Sequence, residues 1–266
     1  MGWADLQGSV GALAASGSES ERFGFEVERI SVGRGWREDF VSLEELSAHL
    51  DGILQGSSAG LVILRMPSEL QALPAMLLGQ GRQVIPAGTL MYWELNVKEA
   101  PTASVPGDIE TREVRSLAYG SADLASAMLL ITDSFAGYTN HYSANPRLDP
   151  GVVAQGYLQW AESTLTGQSS RGFLISDPSG VVGCATVVSV DAGESAWEIE
   201  LAGMSTHRQG KGLYRYLLEA VRSAALRDGI DKVFISTQSH NIRVQRAWAR
   251  AGFVPVAAVD TLHLMR

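Results

Sequence analysis

The sequence holds a single cysteine, Cys184, so neither an internal disulfide nor a multi-cysteine metal site can form. That thiol lies in the apolar run Val181 to Val188 and reads as a small core residue. Basic side chains are scarce: 21 Lys and Arg stand against 29 Asp and Glu, a formal net charge of -8. A nucleic acid or an anionic membrane surface is a poor match for that balance. Long apolar runs are missing, and the best candidate, Ala122 to Ile131, is short and broken by Asp123 and Ser126. The opening Met1-Gly2-Trp3-Ala4-Asp5 lacks the basic stretch and apolar core of a signal peptide, and Leu6 breaks the myristoylation pattern. A cytoplasmic protein is expected. His49, His141, His207, His240 and His263 offer no pair at metal-ligand spacing with a carboxylate, so no metal site is expected.

What is present suits a globular protein: 266 residues, 45% of them hydrophobic, enough for one large core or two modest ones. Residues 1–21 are rich in Gly, Ala and Ser without a sustained period and read as a flexible arm. Phe23 to Val32 alternates apolar and polar residues like a half-buried strand. Ser42 and Glu45 form a capping box that opens a helix. A buried strand from Gly60 to Arg65, a helix from Ser68 through Leu77, and two strands flanking the turn Pro86-Ala87-Gly88 complete a small α/β domain over 22–98. Residues 99–108, with two prolines and no periodicity, read as a linker.

Over 109–266 the pattern predicts a strand at 109–115, a helix at 121–132, a long loop from Thr132 to Pro150 and a helix at 151–165. Strands at 171–176, 181–190 and 195–204 follow, then a helix over 210–227, a strand over 232–237, a helix over 241–250 and two closing strands near Val254 and over 261–264. The fold class is mixed α/β.

Two glycine motifs fail on context. Gly56-Ser57-Ser58-Ala59-Gly60 spells G-x-S-x-G, but a nucleophile elbow leaves a strand and enters a helix, and this stretch does the reverse. Gly79-Gln80-Gly81 lacks the third glycine and the following helix of a dinucleotide site, and reads as a helix-ending turn. Gly210-Lys211-Gly212-Leu213 differs, because it follows a strand and leads into an amphipathic helix. There, glycines let backbone N–H groups approach a phosphate and the helix N-terminus favours negative charge. The alternative is a glycine-rich strand-to-helix turn. No Ser or Thr follows Lys211, which excludes a Walker-type loop.

Two segments together resemble the GNAT superfamily of acyl-CoA-dependent N-acyltransferases. Its diphosphate signature Q/R-x-x-G-x-G/A is matched by His207-Arg208-Gln209-Gly210-Lys211-Gly212, with His in the first place. Its second signature, an Asn followed by a helix ending in an aromatic and Gly-Phe, is matched by Asn241, Trp248, Gly252 and Phe253. Phe23-Gly24, Tyr157-Leu158-Gln159-Trp160, Thr237-Gln238-Ser239-His240-Asn241 and Thr261-Leu262-His263 are further similar to bacterial TDP-fucosamine acetyltransferases and related amino-sugar acyltransferases. The resemblance implies a GNAT fold over 109–266 preceded by a smaller, truncated GNAT-like α/β domain.

It also implies acetyl-CoA or another acyl-CoA as cofactor and a primary amine, most plainly on a nucleotide amino sugar, as acceptor. An acyltransferase for an amino acid, an antibiotic or another small amine is the rival enzyme, and a non-catalytic acyl-CoA-binding module the rival without catalysis. A homodimer is compatible with either. On the family pattern, the oxyanion meets a backbone N–H among Ala202, Gly203 and Met204, at a splay between the strand ending there and the strand at 232–237. The diphosphate meets the backbone from Arg208 to Leu213, with Asn241 and Trp248 beside pantetheine. Strand alternation puts Glu198, Glu200, Ala202 and Met204 on one face, and Trp197, Ile199 and Leu201 on the other. Glu198 is the first candidate base and Glu200 the second, the alternative being a solvent-facing strand surface. His263 is a third catalytic candidate. Tyr138, His141, Tyr142, Arg147 and Gln238 are candidate substrate contacts. Trp248 stands where many relatives have a tyrosine that protonates the departing thiolate, and an indole N–H cannot do that at neutral pH.

Overall fold

The computed structural model describes residues 2–78, 81–167, 171–191 and 195–266. Along the chain run α1 (Trp3–Gln7), β1 (Ala14–Ala15), α2 (Gly17–Phe23), β2 (Val27–Ser31), α3 (Leu43–Gly56), β3 (Leu61–Pro67), α4 (Leu73–Met76), β4 (Gln83–Asn96) and β5 (Glu110–Arg115). Then follow α5 (Ala122–Phe135), α6 (Pro150–Thr166), β6 (Arg171–Asp177), β7 (Gly180–Asp191), β8 (Ser195–Met204), α7 (Tyr214–Arg227), β9 (Lys232–Gln238), α8 (Ile242–Arg250) and β10 (Val254–Met265). These form two compact units: residues 1–91, 139–153 and 257–266 make the first, and 92–138 with 154–256 the second.

The first unit carries the strand order β1-β2-β3-β10-β4. Parallel β2 and β3 are joined by α3, and β10 runs antiparallel to β3. Ser42 caps α3 by accepting the Glu45 N–H at 3.2 Å, while the Glu45 carboxylate accepts the N–H of Val41. Leu46, Leu50 and Leu54, four residues apart, turn one helix face onto Val62, Leu64 and Leu264. The other face of the sheet buries Leu61, Ile63 and Met265 beneath Tyr142, Leu148 and Val153. A strand covered on both faces has no polar alternation, which is why β3 reads as one apolar run.

Several expectations give way here. The arm expected over 1–21 is folded across its described residues, 2–21: Trp3 and Leu6 are buried, and the Glu19 carboxylate is paired with Arg29 and accepts the Tyr142 hydroxyl. Phe23 closes α2 instead of opening a strand, because Gly24 adopts φ +74° and donates its N–H back to Ser20. The turn at 86–88 is the interior of the continuous strand β4, which Gly88 passes with φ +92°. The closing strands are likewise one, β10, and the helix expected from Ser68 shortens to α4, with proline at its first turn. Of the Gly79-Gln80-Gly81 turn, residues 79 and 80 lie outside the described residues. Residues 99–108 are not a tether between the units: they belong to the second, where the Ala103 N–H donates to Glu219 at 3.0 Å. A Cβ on Gly252 would lie 2.6 Å from Pro101.

The second unit has the strand order β4-β9-β8-β7-β6-β5. Leu174, Cys184 and Leu201 face α5 and α6 within one apolar cluster. Burial pushes the Cys184 thiol up to about 12, so it is an inert core group. Phe173 and Trp197 lie on the opposite face, against which α7 packs.

Candidate functional site

The second unit's sheet opens at one place. Strands β8 and β9 pair in parallel only from Ala196 with Lys232 to Ile199 with Ile235, although β8 continues to Met204 and β9 to Gln238. At the same level β8 carries an extra residue. Ile199 pairs with Val187 and Leu201 with Thr186, leaving Glu200 bulged between them. The Leu201 N–H is held by the Thr186 side chain at 3.2 Å.

The bulge changes the phase of the strand. Leu201 and Gly203 turn toward α5 and α6: a Cβ on Gly203 would lie 3.1 Å from Ser134. Met204 turns the other way, against Ile175 and Gly183. Ala202 and Met204 therefore leave the face assigned to them by simple alternation, and Leu201 joins Glu198 on it. Both carboxylates remain on the α5/α6 face. Glu198 is 7% exposed. Glu200 is partly exposed, and desolvation raises its pKa above the ordinary value, opposed by bonds from the Thr164 hydroxyl, at 3.3 Å, and the Trp160 side chain.

Beyond β8 the chain makes a short helical turn over 206–208 and enters the glycine loop. Gly210 and Gly212 have φ of +78° and +77°, conformations that side chains resist. Among the described residues, no acceptor meets the backbone N–H groups of Gly210, Lys211, Gly212, Leu213 and Tyr214. They are a run of consecutive donors leading into the 14-residue α7. A Cβ on Gly212 would meet nothing within 4 Å, and one on Gly210 would meet only Arg243, at 3.5 Å. Gln209 braces the loop, donating to the Met204 carbonyl at 3.1 Å and accepting from Arg243 at 3.1 Å. This donor set fits a diphosphate. Arg208 is not free to add charge, since it pairs with Asp177 at 2.7 Å and donates to Ser179. Lys211 and His207 are exposed.

Trp248 is 2% exposed, packed edge-on against Trp93, and donates its indole N–H to the Tyr214 hydroxyl at 3.1 Å. A tyrosine hydroxyl thus stands beside the indole. Burial pushes the Tyr214 phenol up to about 12, and among the described residues nothing accepts its proton. At the end of β9, the Thr237 hydroxyl lies 3.1 Å from the Tyr138 hydroxyl and 3.0 Å from the Asn241 amide nitrogen. Gln238 is buried next to it.

The remaining candidates are in the first unit. His263 is fully buried: its Nδ1 accepts from Asn145 at 3.0 Å and its Nε2 lies 2.9 Å from His141 Nδ1. That bonding keeps both rings neutral, and burial lowers His141 and takes His263 down to about 4. Tyr142 is bound to Glu19, and Arg147 donates to the carbonyl of Arg266. The long loop is therefore split: Tyr138 belongs to the second unit, whereas His141, Tyr142 and Arg147 are built into the first. Sequence reasoning passed over Phe135, Thr164, Thr186 and Tyr214 as working parts of the site. Tyr157, Trp160 and Thr164 recur at helical spacing, which was the available signal.

A sequence model described as the acetyltransferase (GNAT) family matches residues 136–253. No curated protein sequence matches the chain. Among solved structures, a GCN5-related N-acetyltransferase from Sphaerobacter thermophilus is similar, with a TM-score of 0.56 at 13% identity over 89% of this chain and 72% of that one. A GCN5-related N-acetyltransferase from Kribbella flavida gives 0.55 at 14% identity, covering 90% and 81%. A tandem GNAT protein from the clavulanic acid biosynthesis pathway gives 0.58 at 13% identity, covering 89% and 74%. The fold is that of the GNAT acyltransferases, in a mixed α/β sheet.

Proposed function

We propose that this chain, whose residues 136–253 match the acetyltransferase (GNAT) family model, is an acetyl-CoA-dependent N-acetyltransferase of a primary amine on a small molecule. One observation carries the reading: five consecutive backbone N–H donors at 210–214, two of them on left-handed glycines, lie a short turn beyond the end of β8, whose last residues have no partner on β9. Those N–H groups would hold the diphosphate of coenzyme A, with Lys211 and Arg243 beside them. Bound, the cofactor supplies an acyl group activated as a thioester. Asn241 and Thr237 border the gap through which its arm would pass.

The chain's own groups divide the remaining work. Glu200, raised by burial and partly exposed at the bulge, takes the proton of the incoming ammonium, and Glu198 is the reserve. The β8 backbone from Ala202 to Met204 is the donor to oxygen charge developing beside the bulge. Tyr214 stays protonated throughout the neutral range and donates a hydrogen bond toward the departing sulfur, with Trp248 fixing its oxygen. His263, buried and neutral, takes no part in this scheme. For the acceptor, the resemblance leaves a nucleotide amino sugar and another small primary amine as the two candidates, and the aromatic side chains beside α5 and α6 offer a flat face to either.

Calorimetry with coenzyme A, followed by mass-spectrometric detection of acetyl transfer to a panel of primary amines, tests the reading. Saturable 1:1 binding and transfer to at least one amine are expected. Absence of heat with folded protein overturns it.

A further inference from the structure

The helices that cover the two carboxylates carry an aromatic row. Phe135 and Tyr157 stack at 4.7 Å, and Tyr138 meets both edge-on, at 5.5 and 5.7 Å. Trp160, 6.5 Å from Tyr157, ends the row one helical turn before Thr164, whose hydroxyl lies 3.3 Å from Glu200. Trp160 is 40% exposed, whereas Trp3, Trp36, Trp93, Trp197 and Trp248 are buried. A large indole left open beside a carboxylate is a surface with a ligand's chemistry written on it.

Charge narrows that chemistry. Neither α5 nor α6 contains a Lys or Arg. Between Ser116 and Ser170 the sole Lys or Arg is Arg147, which belongs to the first unit and is bound to the Arg266 carbonyl, and His141 is buried there as a neutral ring. Arg112 of β5 reaches α5 but is held by Asp123 through both of its terminal nitrogens at 2.6 Å, so among these residues a diphosphate finds no uncommitted guanidinium. Three polar side chains near the row are already engaged. Ser134 is tied to the carbonyls of Leu130 and Met204, Asp133 to Thr206, and Thr164 to Glu200.

We infer that the acceptor is an arylalkylamine: a primary ammonium directed at Glu200, carried on a flat apolar ring that lies against Trp160 and the aromatic row, with no phosphate. This rests on the acyl transfer proposed above and takes the small-amine acceptor over the nucleotide amino sugar. The ring replaces water on the exposed indole, and the ammonium gains both the carboxylate and the aromatic faces.

The test titrates the folded protein, saturated with coenzyme A, with 2-phenylethylamine, glucosamine and a thymidine-diphosphate amino sugar, following tryptophan fluorescence. Phenylethylamine should change the emission and bind at least about ten-fold more tightly than either sugar, the scale of one good cation–aromatic contact. Trp160→Ala should weaken phenylethylamine about ten-fold and abolish the emission change, Trp160→Phe should restore most of the affinity, and coenzyme A affinity should hold within about two-fold in both. Equal or tighter binding of either sugar overturns the inference, as does unchanged phenylethylamine affinity in Trp160→Ala. Loss of coenzyme A binding by the wild-type protein would instead remove the underlying function, so the two failures are told apart.

Discussion

Glu200 owes its character to its neighbours. An ordinary surface carboxylate is ionised throughout the neutral range and is a weak base. Desolvation under α6 lifts Glu200, while the Trp160 and Thr164 bonds keep the ionised form accessible. A base works only when deprotonated, so kcat/KM should fall as pH is lowered through a pKa above the usual carboxylate range. In Glu200→Gln that acidic limb should vanish and kcat should drop by about 10²-fold or more, the typical contribution of a positioned base. Coenzyme A affinity, read by calorimetry, should stay within about two-fold, since the carboxylate has no part in the diphosphate site. Glu198→Gln should cost less than about ten-fold in kcat. A larger loss at Glu198 than at Glu200 would reverse the assignment.

At the level of elements, the loop before α7 depends on two glycines for its shape. Gly212 has open space where a Cβ would go, so Gly212→Ala introduces no clash and isolates the effect of φ +77°. The substitution should cost about 1 kcal/mol of stability. It should also weaken coenzyme A about ten-fold, by turning N–H donors away from the phosphates. Thermal unfolding and calorimetry measure the two effects separately. This loop was legible in the sequence, since its glycines, the strand before it and the helix after it all leave local signals. Strand β8 was readable too, from Ser195 to Met204. Its bulge was not, because an extra residue on one strand is defined only by the partner across from it, and Thr186 and Val187 lie in another segment. The alternation therefore gave the right face for Glu198 and Glu200 and the wrong one for Leu201, Ala202 and Met204. The N-terminal segment was misread for a related reason: Glu19 is held by Arg29 and by Tyr142, whose hydroxyl comes from 123 residues away.

Over the whole molecule, the buried histidine pair makes stability depend on pH. Both rings are neutral when folded and ordinary when unfolded, so protons bind preferentially to the unfolded chain. Their contribution is fully present above about pH 6.5 and is lost as pH falls toward about 4, on the order of 3 kcal/mol for His263 alone. Denaturant midpoints measured from pH 7 to 4 should fall across that window, and His263→Gln should show a shallower slope. An equal slope in wild type and variant would mean that carboxylates govern the acid transition.

The chain crosses between its two compact units inside β4, after Tyr138, inside α6 and inside β10. Neither half can therefore be excised as one uninterrupted stretch of gene. A fragment beginning at 109 would leave behind the last residues of β4, which belong to the second unit, and carry off 139–153 and 257–266, which belong to the first. Recombination that swaps one half for a homologous piece would have to cut at several points at once. The two units are thus encoded as interleaved segments, not as two successive blocks.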